Sequence, residues 1–282
     1  MLFMLGIWEK LNYSLCNFLH NNTKQVNQKM VNILNNAPRT KIIAILSIFT
    51  ALYAVLRIIP SVPMIGSSGA TFSLSDIIAP LYGIILGPYT GGLSVIIGSF
   101  IAMFGKPPVF LGLDFLPATV AAVSTGLLIK KKWTYVIALN VILLVAFLIY
   151  PLTSVLIDIS IDSTTISLPF AWLHIVALAV LISPLGRKAA KWVITNDTAR
   201  IATGIAILAF IATMMQHLMG NLLFETVMAQ PIGTIPTGLY PGIWTSIFLV
   251  YPIERLVLVA LATIIGTPLV RILKNTFLAT EQ

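Results

Sequence analysis

Charge is what this chain has least of. Only 9% of its 282 residues are charged and 9 are acidic, whereas 58% are hydrophobic. A soluble domain carries about 25% charged residues, so an ordinary water-soluble globule is excluded. There is a single cysteine, Cys16, which allows neither an internal disulfide nor a multi-thiolate metal site. The three histidines, His20, His174 and His217, include no pair at helical spacing, so no zinc site is read and no metal or cofactor is implied. Gly105-Lys106 is followed by Pro107, and Phe100 stands where a phosphate-binding loop needs its first glycine. This chain therefore does not bind ATP through such a loop.

What is present is long apolar sequence. Runs such as IIAILSIFTALYAVL and VIALNVILLVAFLIY are apolar on every face, without the alternation of a membrane barrel strand. In hydrocarbon a single segment satisfies its own backbone only as a helix. At roughly 20 residues per crossing the apolar content supplies about eight spans. The expectation is an all-α polytopic membrane bundle, with spans at Ile42 to Ile59, Phe72 to Leu86, Tyr89 to Phe104, Phe115 to Ile129, Tyr135 to Leu152, Leu168 to Leu185, Ile201 to Phe224 and Pro252 to Leu273. Ahead of these spans, residues 1–40 form a separate segment. There Leu11, Leu15 and Phe18 recur at i, i+4, i+7 among polar residues, the pattern of an amphipathic helix on the cytoplasmic membrane surface. Residues 41–282 form the transmembrane domain.

Charge parity decides whether Phe72 to Phe104 is one kinked helix or two short ones. With a turn at Gly87-Pro88, one side receives Lys10, Lys24, Lys29, Arg39 and Lys41, then Lys130 to Lys132, then Arg187, Lys188, Lys191 and Arg200, then Arg271 and Lys274. The other side receives Lys106 alone. A single helix would put the Lys130 cluster opposite the N-terminus. Positive-inside bias thus favours eight spans in the plasma membrane with both termini cytoplasmic.

On this topology the ionisable and polar residues Arg57, Asp76, Asp114, His217, Asn221, Glu225, Glu254 and Arg255 all belong to the outer half. Intramembrane charge is costly enough to mark function by default. Duller roles fit some of them: helix capping for Asp76 and Asp114, snorkelling for Arg57, a solvated position past the helix end for Glu225. Glu254 and Arg255, about 100° apart on one helix, are expected to face different partners. Thr213, Gln216, His217, Gly220 and Asn221 form a polar stripe at i, i+3, i+4, i+7, i+8. Such a stripe serves either pocket lining or interhelical hydrogen bonding. Two outer connections have the composition of lids: SVPMIGSSGATF, and the loop Ala229 to Tyr251, whose Tyr240 and Trp244 make it unusually apolar. The candidate substrate-binding set is Arg57, Asp76, Asp114, Thr213, His217, Asn221, Trp244, Glu254 and Arg255, and its mixed charges suit several zwitterionic compounds.

Enzymatic chemistry finds little support. His217 and Asn221 match the HxxxN element of intramembrane CAAX-type proteases, but the paired-glutamate EExxxR motif is absent. A stand-alone secondary transporter is the other competitor, and no inverted repeat relates the two halves. The chain is read as a binding protein, not an enzyme.

The segments AILSIFTALYAVLRIIP, FSLSDIIAPLYGIILGPYTGGLSVIIGSFIA and FLPATVAAVSTGLLIKKK resemble the first four helices of the substrate-binding S component of energy-coupling factor (ECF) vitamin transporters. HLMGNLLF and YPIERLVLVALATIIGTPLVRILK are similar to its last two. The resemblance implies a six-helix core, with residues 134–186 as an added helix pair, and an outward-facing pocket under both lids. It implies capture of a vitamin or related micronutrient. It also implies a transmembrane coupling subunit and two ABC-type ATPases as partners. The family's AxxxA element on the first helix is here replaced by Ser47-xxx-Ala51 and Thr50-xxx-Ala54, small residues that together give a docking face at i, i+3, i+4, i+7.

The eight-span parity has a direct check in a Cys16-free background. Cysteines at Ser67 and Gly238 should react with an impermeant thiol reagent from outside, and one at Lys131 should not; outside labelling at Lys131 would overturn the parity.

Overall fold

The computed structural model describes residues 39–67, 69–161 and 164–278. The expected N-terminal surface helix lies outside them. Helix α1 (Arg39–Ile58) stops ahead of Pro60, whose ring disfavours helical backbone in the residue before it. A short antiparallel hairpin follows, β1 (Pro60–Pro63) on β2 (Thr71–Ser73).

Helix α2 (Ser75–Ala102) is two helices in one span of sequence, because Gly87 leaves the helical region with φ 78° and ψ 176°. A residue with a side chain rarely adopts that φ. Beyond it the chain turns back. A Cβ on Gly91 would sit 2.6 Å from the Tyr82 carbonyl oxygen, so the two arms touch backbone to backbone just past the bend. At the far end Lys106 Nζ donates to the carbonyls of Thr71 at 2.8 Å and Phe72 at 3.3 Å, joining the start of one arm to the end of the other. The arms, residues 75–86 and 88–102, are therefore antiparallel, as charge parity requires.

Helix α3 (Leu116–Ile129) seals the bend, with Gly126 against the Pro88 backbone and Gly83 against the Ala122 carbonyl. Helix α4 (Trp133–Ile149) leads to a second hairpin, β3 (Leu156–Ile161) on β4 (Thr164–Pro169), paired from Leu156↔Pro169 to Ile161↔Thr164. This hairpin is absent from the expected elements, although Ile157, Ile159 and Ile161 alternate with Asp158 and Ser160 at the period of a strand, because the long apolar runs on either side carry a much stronger helical signal. Helices α5 (Trp172–Ile182) and α6 (Pro184–Val193) meet at a bend of 72°, where the Ser183 hydroxyl accepts from the Leu185 N–H. The expected span Leu168 to Leu185 thus begins as strand and ends at this bend. Helix α7 (Thr198–Val227), capped by Asp197, precedes α8 (Tyr240–Leu278).

The expected loop Ala229 to Tyr251 needs correction in its second half, which is already α8. Pro241 occupies the first helical turn, where a missing N–H costs nothing, so this proline starts the helix. Pro252 lies inside α8 without ending it.

By length and composition, three helical stretches among the described residues can cross a membrane, or four counting the bent α5–α6 pair. Helices α1, α3 and α4 contribute shorter apolar segments. Burial separates their roles: 72% of the most apolar window of α7 is enclosed, against 17% for α8, so α7 is the axis of the bundle and α8 an outer wall. Ile43, Ile48 and Val55 on α1, Ile142 and Ile149 on α4, and Ile253 and Ile264 on α8 are exposed, which fits a lipid surround rather than water. The small-residue stripe of α1 divides. Ser47 and Ala51 lie on its exposed side, whereas Thr50 and Ala54 are buried, with Gly98 close against the Thr50 carbonyl. Thr50 and Ala54 therefore pack inside the bundle and leave the expected docking face.

The Gly91 contact carries a stability prediction. Gly91→Ala should cost about 1–3 kcal/mol through overpacking against the Tyr82 carbonyl, read as a lower thermal midpoint in detergent, while Gly242→Ala, with open space around it, should change little.

Candidate functional site

At the end of the bundle opposite the Gly87 bend lies a cavity of about 320 Å³. Its floor and walls come from α1, the start of α2, the 103–118 connection, α7 and α8, and its rim from the β1–β2 hairpin. Three cationic side chains (Arg57, Lys106, Arg255) and three carboxylates (Asp76, Asp114, Glu254) line it.

Each charge is already held. Arg57 Nη2 donates to the Asp114 carbonyl at 3.1 Å and lies 3.6 Å from its carboxylate. Asp114 Oδ1 and Oδ2 accept the backbone N–H groups of Val109 and Phe110, both at 2.9 Å. Asp114 thus folds the loop before α3 and does not cap α3 itself. Asp76 does meet half of its capping reading, accepting from the Ser73 N–H at 3.4 Å, while its second oxygen accepts from Gln216 Nε2 at 2.8 Å. That second bond ties α2 to α7. The Lys106 ammonium has its pKa lowered, first by burial and then by the nearby Arg57 charge.

Helix α7 contributes Gln216, His217, Gly220 and Asn221. Helix α8 contributes Ile247, Val250, Tyr251, Glu254 and Arg255. Contrary to expectation, Glu254 and Arg255 share the cavity and bond to each other at 2.5 Å, since both long side chains curl back across the 100° that separates their Cα atoms. The Arg255 guanidinium also lies 5.6 Å from the centre of the Phe72 ring. Glu225 likewise departs from its solvated reading: it is fully buried and accepts a 2.6 Å bond from Thr153.

Of the nine residues expected at the site, seven line the cavity: Arg57, Asp76, Asp114, His217, Asn221, Glu254 and Arg255. Thr213 and Trp244 do not. Thr213 is buried one turn deeper on α7. Trp244 is locked in an aromatic core, edge-on to Phe147 and Phe170, and its Nε1 donates to the Leu152 carbonyl at 2.8 Å. Because Trp244 is helical rather than in a loop, its direction is set by the helix face, which turns it inward.

Sequence reading overlooked Lys106 as a lining residue, although it was the lone outer lysine. It also overlooked His174, fully buried on α5, whose Nε2 lies 3.0 Å from His217 Nδ1, with the ring centres 5.2 Å apart and the planes within 8° of each other, as an in-plane hydrogen bond requires. A lone histidine in an apolar helix was its only signal. Among the described residues no three His, Cys, Asp or Glu side chains form a group able to hold a metal.

Three buried polar atoms of the lining lack a hydrogen-bond partner: Gln216 Oε1, Asn221 Nδ2 and Arg255 Nε. Buried polar groups are normally paired, so these three unpaired atoms, each enclosed on a residue of the cavity wall, leave that wall with hydrogen-bonding capacity the fold does not use. Of the two connections read as lids, the first packs its Gly66 against Ile243 of α8 and Phe224 of α7, and the second faces it with Ile235 and Pro236. Between them lies a more open vestibule of about 660 Å³, lined by Gly66, Thr71, Lys106, Ile235 and Pro236 among others.

Comparison with known proteins adds the following. A family model described as "ECF transporter, substrate-specific component" matches residues 41–194, a stretch that runs without interruption through 134–186 and ends before α7. A protein of Methanocaldococcus jannaschii, titled "Uncharacterized protein MJ0923", is 31% identical over 162 residues, covering 57% of this chain. The chain spans 50% of that relative's length. No solved structure matches.

Proposed function

Because the chain belongs to the family of ECF transporter substrate-specific components, an integral membrane family that is not a class of enzymes, we propose that it captures a vitamin or related micronutrient from outside the cell for ATP-driven uptake. The observation that carries this reading is the cavity itself. Seven polar residues scattered over two hundred positions of sequence converge on a space of about 320 Å³, at the lower end of ordinary small-molecule sites, with residues 62–65 of the first connection on its rim. The bend at Gly87 places the Lys130 cluster at the opposite end, where Lys130 lies over the Tyr89 ring. On the positive-inside rule that end is cytoplasmic, the cavity opens outward, and the eight helical passes cross the plasma membrane.

Gly105-Lys106 does not form a phosphate-binding loop, and the energy for uptake comes from partners: a transmembrane coupling subunit and two ABC-type ATPases. Their docking face on α1 is the exposed strip holding Ser47 and Ala51, where small side chains let a partner helix approach closely. The secondary-transporter reading has no comparable support. For the protease reading, His217 and Asn221 stand in the cavity without the paired glutamates that would activate water.

Small molecules released from the gently purified protein, identified by mass spectrometry, name the substrate. For that compound, His217→Ala or Asn221→Ala should weaken binding by about 1–3 kcal/mol, the cost of unpairing a buried polar contact. Unchanged affinity in both would return the stripe to helix packing.

Docking has its own test. Ala51→Leu should leave substrate affinity of the isolated protein intact and abolish uptake in cells carrying the partner subunits, whereas Thr50→Leu should lower stability through overpacking. Normal uptake with Ala51→Leu would sink the docking assignment.

A further inference from the structure

His174 does not touch the cavity, yet it controls what the cavity wall can offer. It is fully buried on α5, and its one polar contact among the described residues is the 3.0 Å approach of its Nε2 to His217 Nδ1. A hydrogen bond between two imidazole nitrogens requires a proton on one and a lone pair on the other. Two arrangements satisfy this.

If His217 Nδ1 carried the proton, His174 Nε2 would be the acceptor and its hydrogen would sit on Nδ1. That nitrogen is buried with no partner. Nor would a ring face receive its N–H, because the Phe170 and Tyr251 rings lie nearly parallel to His174, at 19° and 26°. An orphaned buried N–H is among the rarest features of folded proteins. In the other arrangement His174 Nε2–H donates to His217 Nδ1, and only a lone pair of His174 is left without a partner. His217 then carries its own hydrogen on Nε2, the nitrogen not engaged by His174, on a ring that lines the cavity.

We propose that His174 acts as a positioning residue that holds His217 as a hydrogen-bond donor to the cavity, so that this N–H, beside the cationic Arg255 of the same lining, receives a carboxylate of the captured molecule. The two neighbours fit. Arg255 on α8 lines the same cavity and supplies positive charge, and Asn221 stands one turn along α7 from His217. Glu254 occupies a different nitrogen of Arg255, Nη2, and leaves Nε free. The inference rests on the reading of this cavity as a capture site, but its first test needs no substrate.

The full-length protein with 15N-labelled histidine, in detergent micelles, contains three imidazoles, and His20→Gln and His174→Gln assign them. Two-bond proton–nitrogen correlation spectra should show His217 protonated on Nε2 and bare on Nδ1. Protonation on Nδ1, or a mixture of both forms, would overturn the proposal. His174→Gln, whose amide N–H can replace the donor, should keep the His217 form, and His174→Phe, which keeps the ring but has no donor, should give a mixture; a pure Nε2–H form in His174→Phe would remove His174 from the role.

Benzoate and benzylammonium, one ring with opposite charge, test this carboxylate site as fragments. Benzoate should shift the His217 signals and benzylammonium should not, and benzoate should bind more weakly to His174→Phe in proportion to the fraction of His217 that has left the Nε2–H form. A response to benzylammonium alone, or to neither, would refute the carboxylate assignment. Failure of the capture reading would look different: the Nε2–H form and the benzoate response would persist while no natural compound is retained.

Discussion

The reversal of the chain at Gly87 is the constraint on which the rest of the structure depends. Gly87 adopts a φ that side chains disfavour, and Gly91 then lets the returning arm approach the Tyr82 carbonyl. Without that approach residues 75–102 would run on as one long helix and carry Lys106 away from Thr71. With it, the end of one arm and the start of the other stand together, and every later helix keeps the direction that delivers its polar residues to the cavity end. Gly126 and Gly83 extend the same contact to α3, so this corner is built from backbone touching backbone. In a membrane, where apolar side chains gain little by leaving lipid for one another, such close packing is a main source of helix association.

Burying six ionisable groups around one cavity would be ruinous were they unpaired. The arrangement avoids this by spending each on a structural task. Arg57 and Asp114 hold the loop before α3, Asp76 joins α2 to α7 through Gln216, and Glu254 and Arg255 neutralise each other. What remains for a ligand is not a bare charge but a few neutral or partly engaged donors and acceptors at fixed positions. Such a site binds by completing hydrogen bonds rather than by neutralising a field, which favours selectivity because a molecule with the wrong edge leaves the same atoms unpaired.

The aromatic core beside the cavity serves a different purpose. Phe147, Phe170, Trp244 and Tyr251 fill the space among α4, α5 and α8, and the hydrogen-bonded His174–His217 pair joins that packing to the cavity wall. The 134–186 stretch is therefore not an appendage. Its residues supply both the packing behind α7 and the imidazole that meets His217.

By itself the sequence determined the helical membrane class, the reversal at Gly87-Pro88 and the end of the bundle at which Arg57, Asp76, Asp114, His217, Asn221, Glu254 and Arg255 lie. Those follow from local rules: apolar run length, glycine and proline chemistry, and the alternation of charge between successive spans. Tertiary structure decided what depends on rotation and on partners distant in the chain. Whether Trp244 faces the cavity or the core turns on α8 beginning at Tyr240, and Thr50 faces inward because α1 rotates it toward Gly98. The pairing of Glu254 with Arg255 depends on side-chain length, which helical angles do not express. The contact of His174 with His217 joins residues 43 positions apart on helices whose approach no periodicity encodes. Sequence patterns specify depth and facing along one helix; they carry no term for which helix stands opposite, and the polar contacts of this site are made between helices.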